Sequence, residues 1–193
     1  GGSFGRTSLN VKGTALTTIP MFIQAEFGDE GLDKWLASLG AEAREVFAGP
    51  VLNTRAFDVT TYLVEPMQRL CDVLYGGSPK GAWDAGRFSA DHTLRGIYRV
   101  MVKVGSPSWL VERASRVMTI YYDEGSMDVV ERDSTSGVAR LSGTSVAHPM
   151  IEQRMAGFME RGLEISGAKN VQVRITATMT NGSDFTEFAI NWE

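Results

Sequence analysis

The sequence predicts an α+β domain in which a helical N-terminal half packs on a four-stranded antiparallel sheet. Three observations predict it. Apolar residues recur at helical spacing through most of the first 120 positions, two β-like runs flank the polar cluster 133–136, and two alternating runs flank Asn181-Gly182. One further helix separates the two hairpins, and the long helices are the cover for the apolar face of the sheet.

From Val11 onward, Ala15, Ile19, Phe22, Ile23 and Phe27 mark a helix ending at Gly28, with Thr17 or Thr18 as its cap and Pro20 near its first turn. Asp29 opens a second helical stretch carrying Leu32, Trp35, Leu36 and Leu39 before Gly40, and a third runs from Glu42 to Phe47. Residues 51–63 are rich in Thr and Val and read as strand or loop. Leu63, Met67, Leu70 and Leu74 share one face of a helix with Pro66 in its first turn, and Gly76-Gly77 ends it. Ser78-Pro79 starts what reads as the longest helix, to about Val104, and Ser106-Pro107 starts the next. Met127–Arg132 and Gly137–Gly143 form a hairpin. His148-Pro149 precedes a helix burying Met150, Ile151, Met155, Phe158, Met159 and Leu163, with Gly167 as stop. Val171, Val173, Ile175 and Ala177 alternate with polar residues, and Asn181-Gly182 turns the chain into a return strand toward Trp192.

A chain of 193 residues matches one domain of roughly 100–200 residues. Residues 1–10 are expected to be a flexible lead and 11–193 a single domain. One cysteine excludes a disulfide framework and fits a reducing compartment. No run approaches the ~18 consecutive apolar residues of a membrane span, and the chain is expected to be cytoplasmic. A net charge of −4 without a basic cluster removes the footprint of a nucleic-acid partner.

Catalytic signatures are missing. His92 and His148 are the two histidines, neither beside a nucleophile-elbow motif, and Cys71 sits next to an apolar helical stripe as a small buried hydrophobe. No cysteine or histidine pair has zinc spacing, and Asp123, Glu124 and Asp128 lack the pattern of a calcium loop. No catalytic and no metal-ligating set is expected. The glycines form no phosphate loop; Gly86, Gly96 and Gly157 fall inside helices, where close helix crossing explains their cost of about 1 kcal/mol against alanine. Tyr98, Met101, Trp109, Met118 and Tyr121, with Tyr122, are candidates to line an apolar cavity between helices and sheet, and core packing explains them equally well.

Val11-Lys12-Gly13, followed by a helix ending Glu26-Phe27-Gly28, resembles the opening of the haem-based nitric oxide/oxygen-binding domains. Gly96-Ile97-Tyr98-Arg99 through Pro107, then Tyr121-Tyr122-Asp123-Glu124-Gly125, is similar to an uncharacterised paralogous family of myxobacteria. Gly157, Gly162-Leu163-Glu164, Gly167-Ala168 and the closing Asn191-Trp192 resemble the 4-vinyl reductase type of small-molecule-binding domain. These families share a fold with the small subunits of the Golgi transport-particle (TRAPP) complex, so the resemblance implies a ligand-binding domain of the NO-signalling and Golgi-transport type.

It also implies prosthetic groups whose ligands this chain lacks. The haem family uses a proximal histidine, whose position falls here near Arg95 or Gly96, and a Tyr-x-Ser-x-Arg motif that does not occur; the zinc cysteines of the vinyl reductase type are missing from Met179 to Phe188. The expectation is therefore a non-enzymatic, homodimeric sensory domain that binds a small apolar molecule and no cofactor. The alternatives are an interaction scaffold with a filled pocket and a haem gas sensor using His92.

Overall fold

The computed structural model describes residues 9–95, 107, 111, 113, 116, 118 and 120–193. Strand β1 (Asn10–Lys12) leads into helix α1 (Gly13–Ser38), followed by α2 (Ala41–Phe47), β2 (Ala56–Asp58), a π-helical turn (Thr60–Val64), α3 (Glu65–Leu74) and α4 (Lys80–Leu94). Then come β3 (Ser126–Arg132), β4 (Ser136–Ser142), α5 (Pro149–Ile165), β5 (Gln172–Ala177) and β6 (Thr186–Asn191). β1 and β2 form a small antiparallel pair, and the main sheet is antiparallel in the order β3-β4-β6-β5. The α+β class, the helical first half and the four-stranded sheet are as the sequence predicts.

Leu9, assigned to the lead from sequence, is buried, and its carbonyl accepts from the Val59 amide. The two helical stretches expected on either side of Gly28 are both present within α1, which breaks there at φ 67° and ψ −168°, a conformation glycine alone adopts freely. Pro20 departs from expectation. It lies inside α1, whose N-cap is Lys12, and Thr17 turns its hydroxyl back to the Gly13 carbonyl at 2.9 Å instead of capping. Gly13 starts the helix because a Cβ there would lie 2.0 Å from the Leu52 carbonyl oxygen. The ambiguous 51–63 stretch contains both β2 and the π-helical turn that runs into α3. Described helix α4 ends at Leu94; its expected continuation to Val104 lies outside the described residues.

Trp35 is fully buried, and its indole donates to the Pro66 carbonyl at 2.9 Å, joining α1 to α3. In β6 the Thr186, Phe188 and Ile190 face turns inward, which the alternating sequence left open. The β5–β6 connection is longer than a two-residue turn: a 3₁₀ turn spans Met179–Asn181 and Gly182 closes it at φ 91°.

α4 and α5 cross in close contact. A Cβ on Gly86 would lie 2.0 Å from the Arg154 carbonyl oxygen, and one on Gly157 would lie 2.0 Å from that of Trp83. Close crossing is thus the reason for both helical glycines, while Gly96 lies outside the described residues. Beside the crossing, Arg87 forks onto Glu164 at 3.0 and 2.9 Å and also pairs with Glu160. Arg161 bridges Asp91 at 3.0 Å and Glu164 at 2.9 Å. The Arg87 hydrogen bonds, followed by those of Arg161, hold the Glu164 carboxyl below its ordinary pKa of 4.5 against the opposing effect of burial. Because the folded-state value is the lower one, this stabilisation is fully present above about pH 4.5 and is lost as pH falls through the depressed value. Urea titrations from pH 6 to pH 3 should show Glu164→Gln with a shallower acid loss than the parent; parallel curves would show that the network does not set the acid dependence.

Candidate functional site

A cavity of about 80 Å³ opens between α5, the end of α4, the helical residues Val111, Met118 and Tyr121, and the sheet. α5 contributes Arg154, Met155, Phe158, Met159, Gly162 and Leu163; Leu94 comes from α4, Met127 from β3 and Ile190 from β6. The period of α5 presents residues 155, 158, 159 and 162 along one face, so one helix supplies much of an apolar wall.

Tyr121 and Tyr122 are fixed at this wall from two sides. The Tyr121 hydroxyl lies 2.8 Å from the Thr93 hydroxyl, and its ring packs edge-on to Phe158 at 6.1 Å. Tyr122 forms an antiparallel bridge with Val11, and the next residue, Asp123, takes hydrogen bonds from the amide of Asn10 at 2.8 Å and from its side chain at 2.9 Å. The end of this segment is thereby tied to the N-terminal strand.

Two buried polar atoms on the wall have no partner: the Tyr122 hydroxyl and Nε of Arg154. Arg154 Nη2 donates to the Ala15 carbonyl at 2.9 Å and the Ser89 hydroxyl at 3.2 Å. Burial pushes the Tyr122 phenol above its ordinary pKa, and the nearby positive charge of Arg154 opposes that shift.

Of the sequence candidates, Met118 and Tyr121 lie on the cavity wall, and Tyr98, Met101 and Trp109 fall outside the described residues. His92 is exposed and borders a shallow surface depression with Phe88, Asp91 and Arg95, away from the cavity. His148 caps α5, its Nδ1 accepting from the Met150 amide at 3.1 Å; burial, opposed by Glu152, holds its pKa below 6.5 and favours the neutral ring that this bond needs. Cys71 is buried with Sγ 3.8 Å from the Met150 sulfur, and burial raises its thiol pKa. Among the described residues, no group of three His, Cys, Asp or Glu side chains is placed to hold a metal, and no helix is long and apolar enough to cross a membrane.

Sequence reasoning missed Arg154 and Glu152. The signal for Arg154 was a cation in the apolar spacing Ile151–Arg154–Met155–Phe158. Glu152, 4% exposed, has no such signal: its carboxylate accepts from the hydroxyls of Thr178, Thr180 and Thr186 at 2.6–2.7 Å, partners 26 or more residues away.

No protein-family model and no curated protein sequence matches the chain. Solved structures do. An unliganded Fe(II) H-NOX protein from K. algicida superposes with a TM-score of 0.71 at 14% identity, covering 94% of this chain and 96% of that one. An H-NOX protein from S. oneidensis in the Fe(II)NO state gives 0.73 at 13%, covering 94% and 99%. An oxygen-binding H-NOX domain related to soluble guanylate cyclases, in its oxygen complex, gives 0.67 at 11%, covering 94% and 95%. These neighbours are binding domains, which agrees with the expectation of a non-enzyme. They overturn the expectation of no cofactor, because the neighbours are iron proteins and one was solved in a study of haem redox potential. At these identities the likeness is one of architecture: the chain has the H-NOX fold.

Proposed function

We propose that this chain is a non-enzymatic sensory domain that binds a small molecule in the cavity between α5 and the sheet, with haem as the first occupant to test. The observation that supports it is an apolar cavity, in a fold whose solved members bind ligands, walled by residues from helices and sheet alike. An open cavity counts against a scaffold with a filled pocket. Tyr98, Met101, Trp109, Met118 and Tyr121 remain the proposed ligand-binding set.

The donor chemistry of the wall decides how haem fits. Imidazole is missing from it, since His92 faces outward and His148 caps a helix. Thioethers and phenols, both known axial ligand types, are present at Met118, Met127, Met155, Met159, Tyr121 and Tyr122. These side chains would hold the iron, and the apolar wall suits the macrocycle. When bound, haem supplies coordination of a small gas ligand. A volume of about 80 Å³ is below the roughly 300–1,000 Å³ of pockets for drug-sized ligands, so a bulky occupant requires the walls to part.

Haemin titration followed by absorption tests the reading. The expected result is a saturable Soret band that is unchanged by His92→Ala and displaced by a Met→Leu or Tyr→Phe change on the wall. Absence of the band, together with no thermal shift from a panel of aromatics and fatty acids, would sink the cavity reading. The proposal extends to a cytoplasmic homodimer with 11–193 as one domain, and light scattering gives the dimer's expected mass of twice the chain.

A further inference from the structure

Arg154 is 3% exposed and Tyr122 is 7% exposed, so neither is solvated from outside. A buried guanidinium is costly unless an anion or a full set of acceptors offsets it. Both protein partners of Arg154 are neutral, the Ala15 carbonyl and the Ser89 hydroxyl, and among the described residues no carboxylate forms an ion pair with it. Its Nε and the Tyr122 hydroxyl are two unsatisfied donors on one otherwise apolar cavity. Burial keeps the Tyr122 phenol protonated, so its proton is available to donate.

Two donors and one positive charge call for a singly charged acceptor with two oxygens, which is a carboxylate. A phosphate carries about −1.5 to −2 charges and three acceptor oxygens, more than these groups satisfy in an apolar surround. Met118, Met127, Met155 and Phe158 then take the apolar body. Resting on the reading of this cavity as the binding site, we propose that Arg154 and Tyr122 form a carboxylate subsite within it, specific for an apolar molecule bearing one acid group at that point. The acid is either a free aliphatic or aryl carboxylic acid or a propionate of a porphyrin.

Calorimetric titration of the intact protein separates the possibilities by matched pairs: octanoate against octanol, and haemin against its dimethyl ester. The expected result is that at least one acid binds about tenfold more tightly than its neutral partner, the effect of a hydrogen-bonded charge. Preference within the octanoate pair identifies a free acid, and preference within the haemin pair identifies a propionate. Tyr122→Phe removes only an unpartnered hydroxyl, so the fold should be kept while the preference shrinks; Arg154→Met should abolish it. If octanol and the ester bind as well as their acids, or if Tyr122→Phe and a folded Arg154→Met both keep the full preference, the subsite is wrong while the cavity reading stands. If no member of either pair binds, both fall together.

Discussion

Replacing Gly157 with alanine should destabilise the protein by about 3 kcal/mol, at the upper end of the range for overpacking, seen as a fall in Tm of roughly 6–12 °C for a chain of this length. Helix propensity alone argues the opposite sign, since alanine is favoured over glycine by about 1 kcal/mol in a helix interior. Packing wins here because the added Cβ would lie 2.0 Å from the Trp83 carbonyl oxygen and 2.8 Å from its carbon, both backbone atoms of the facing helix that cannot rotate away. Gly86→Ala meets the Arg154 carbonyl oxygen at the same 2.0 Å and should cost a similar amount. Urea unfolding of the two variants checks this; a Tm equal to or above the parent's would mean that α4 and α5 do not approach as closely as described.

Glu152→Ala should also cost about 3 kcal/mol, with Glu152→Gln losing much less. Alanine leaves the hydroxyls of Thr178, Thr180 and Thr186 without their shared acceptor, and each stranded buried donor costs roughly 1–3 kcal/mol unless water replaces it. Three such groups set the upper bound, and entry of water beside the partly exposed Thr178 and Thr180 lowers it. Glutamine keeps the shape and one acceptor oxygen, and hydroxyls rotate to accept from its amide. Equal losses for the two variants in thermal melts would show that charge, rather than the number of satisfied hydrogen bonds, is what the site requires.

Local signals on this chain were read well where the backbone itself is constrained. Gly28, Gly76 and Gly77 take positive φ and stop or break helices at the positions the sequence marks. Both hairpins form for the same reason, since alternation and turn residues act over a few positions. Readings failed where distant partners decide. Asn181-Gly182 has the composition of a two-residue turn, yet Glu152 on α5 collects the hydroxyls of Thr178 and Thr180, and the connection forms a 3₁₀ turn between them. Pro20 is tolerated inside α1 although the missing amide suits a first turn, because Ile19, Phe22 and Ile23 on either side of it are buried and hold the helix in place.

The candidate site was legible by residue type and not by position. Aromatic and methionine content pointed to a cavity wall, and Met118 and Tyr121 lie on one. The polar atoms there came from a cation that periodicity assigns to an apolar stripe, and the orphaned hydroxyl of Tyr122 is visible only in three dimensions.

Glu152 and Arg154 stand two residues apart on α5, which at 100° per residue places them about 200° apart around the helix axis. One reaches the loop that precedes β6, the other reaches the first turn of α1, and both are buried. The helix is therefore keyed on opposite flanks like a shaft held by two pins. Turning it to relieve either contact would withdraw the other, so α5 holds a single rotational setting, and the methionines and Phe158 on its remaining face keep a fixed bearing toward the cavity.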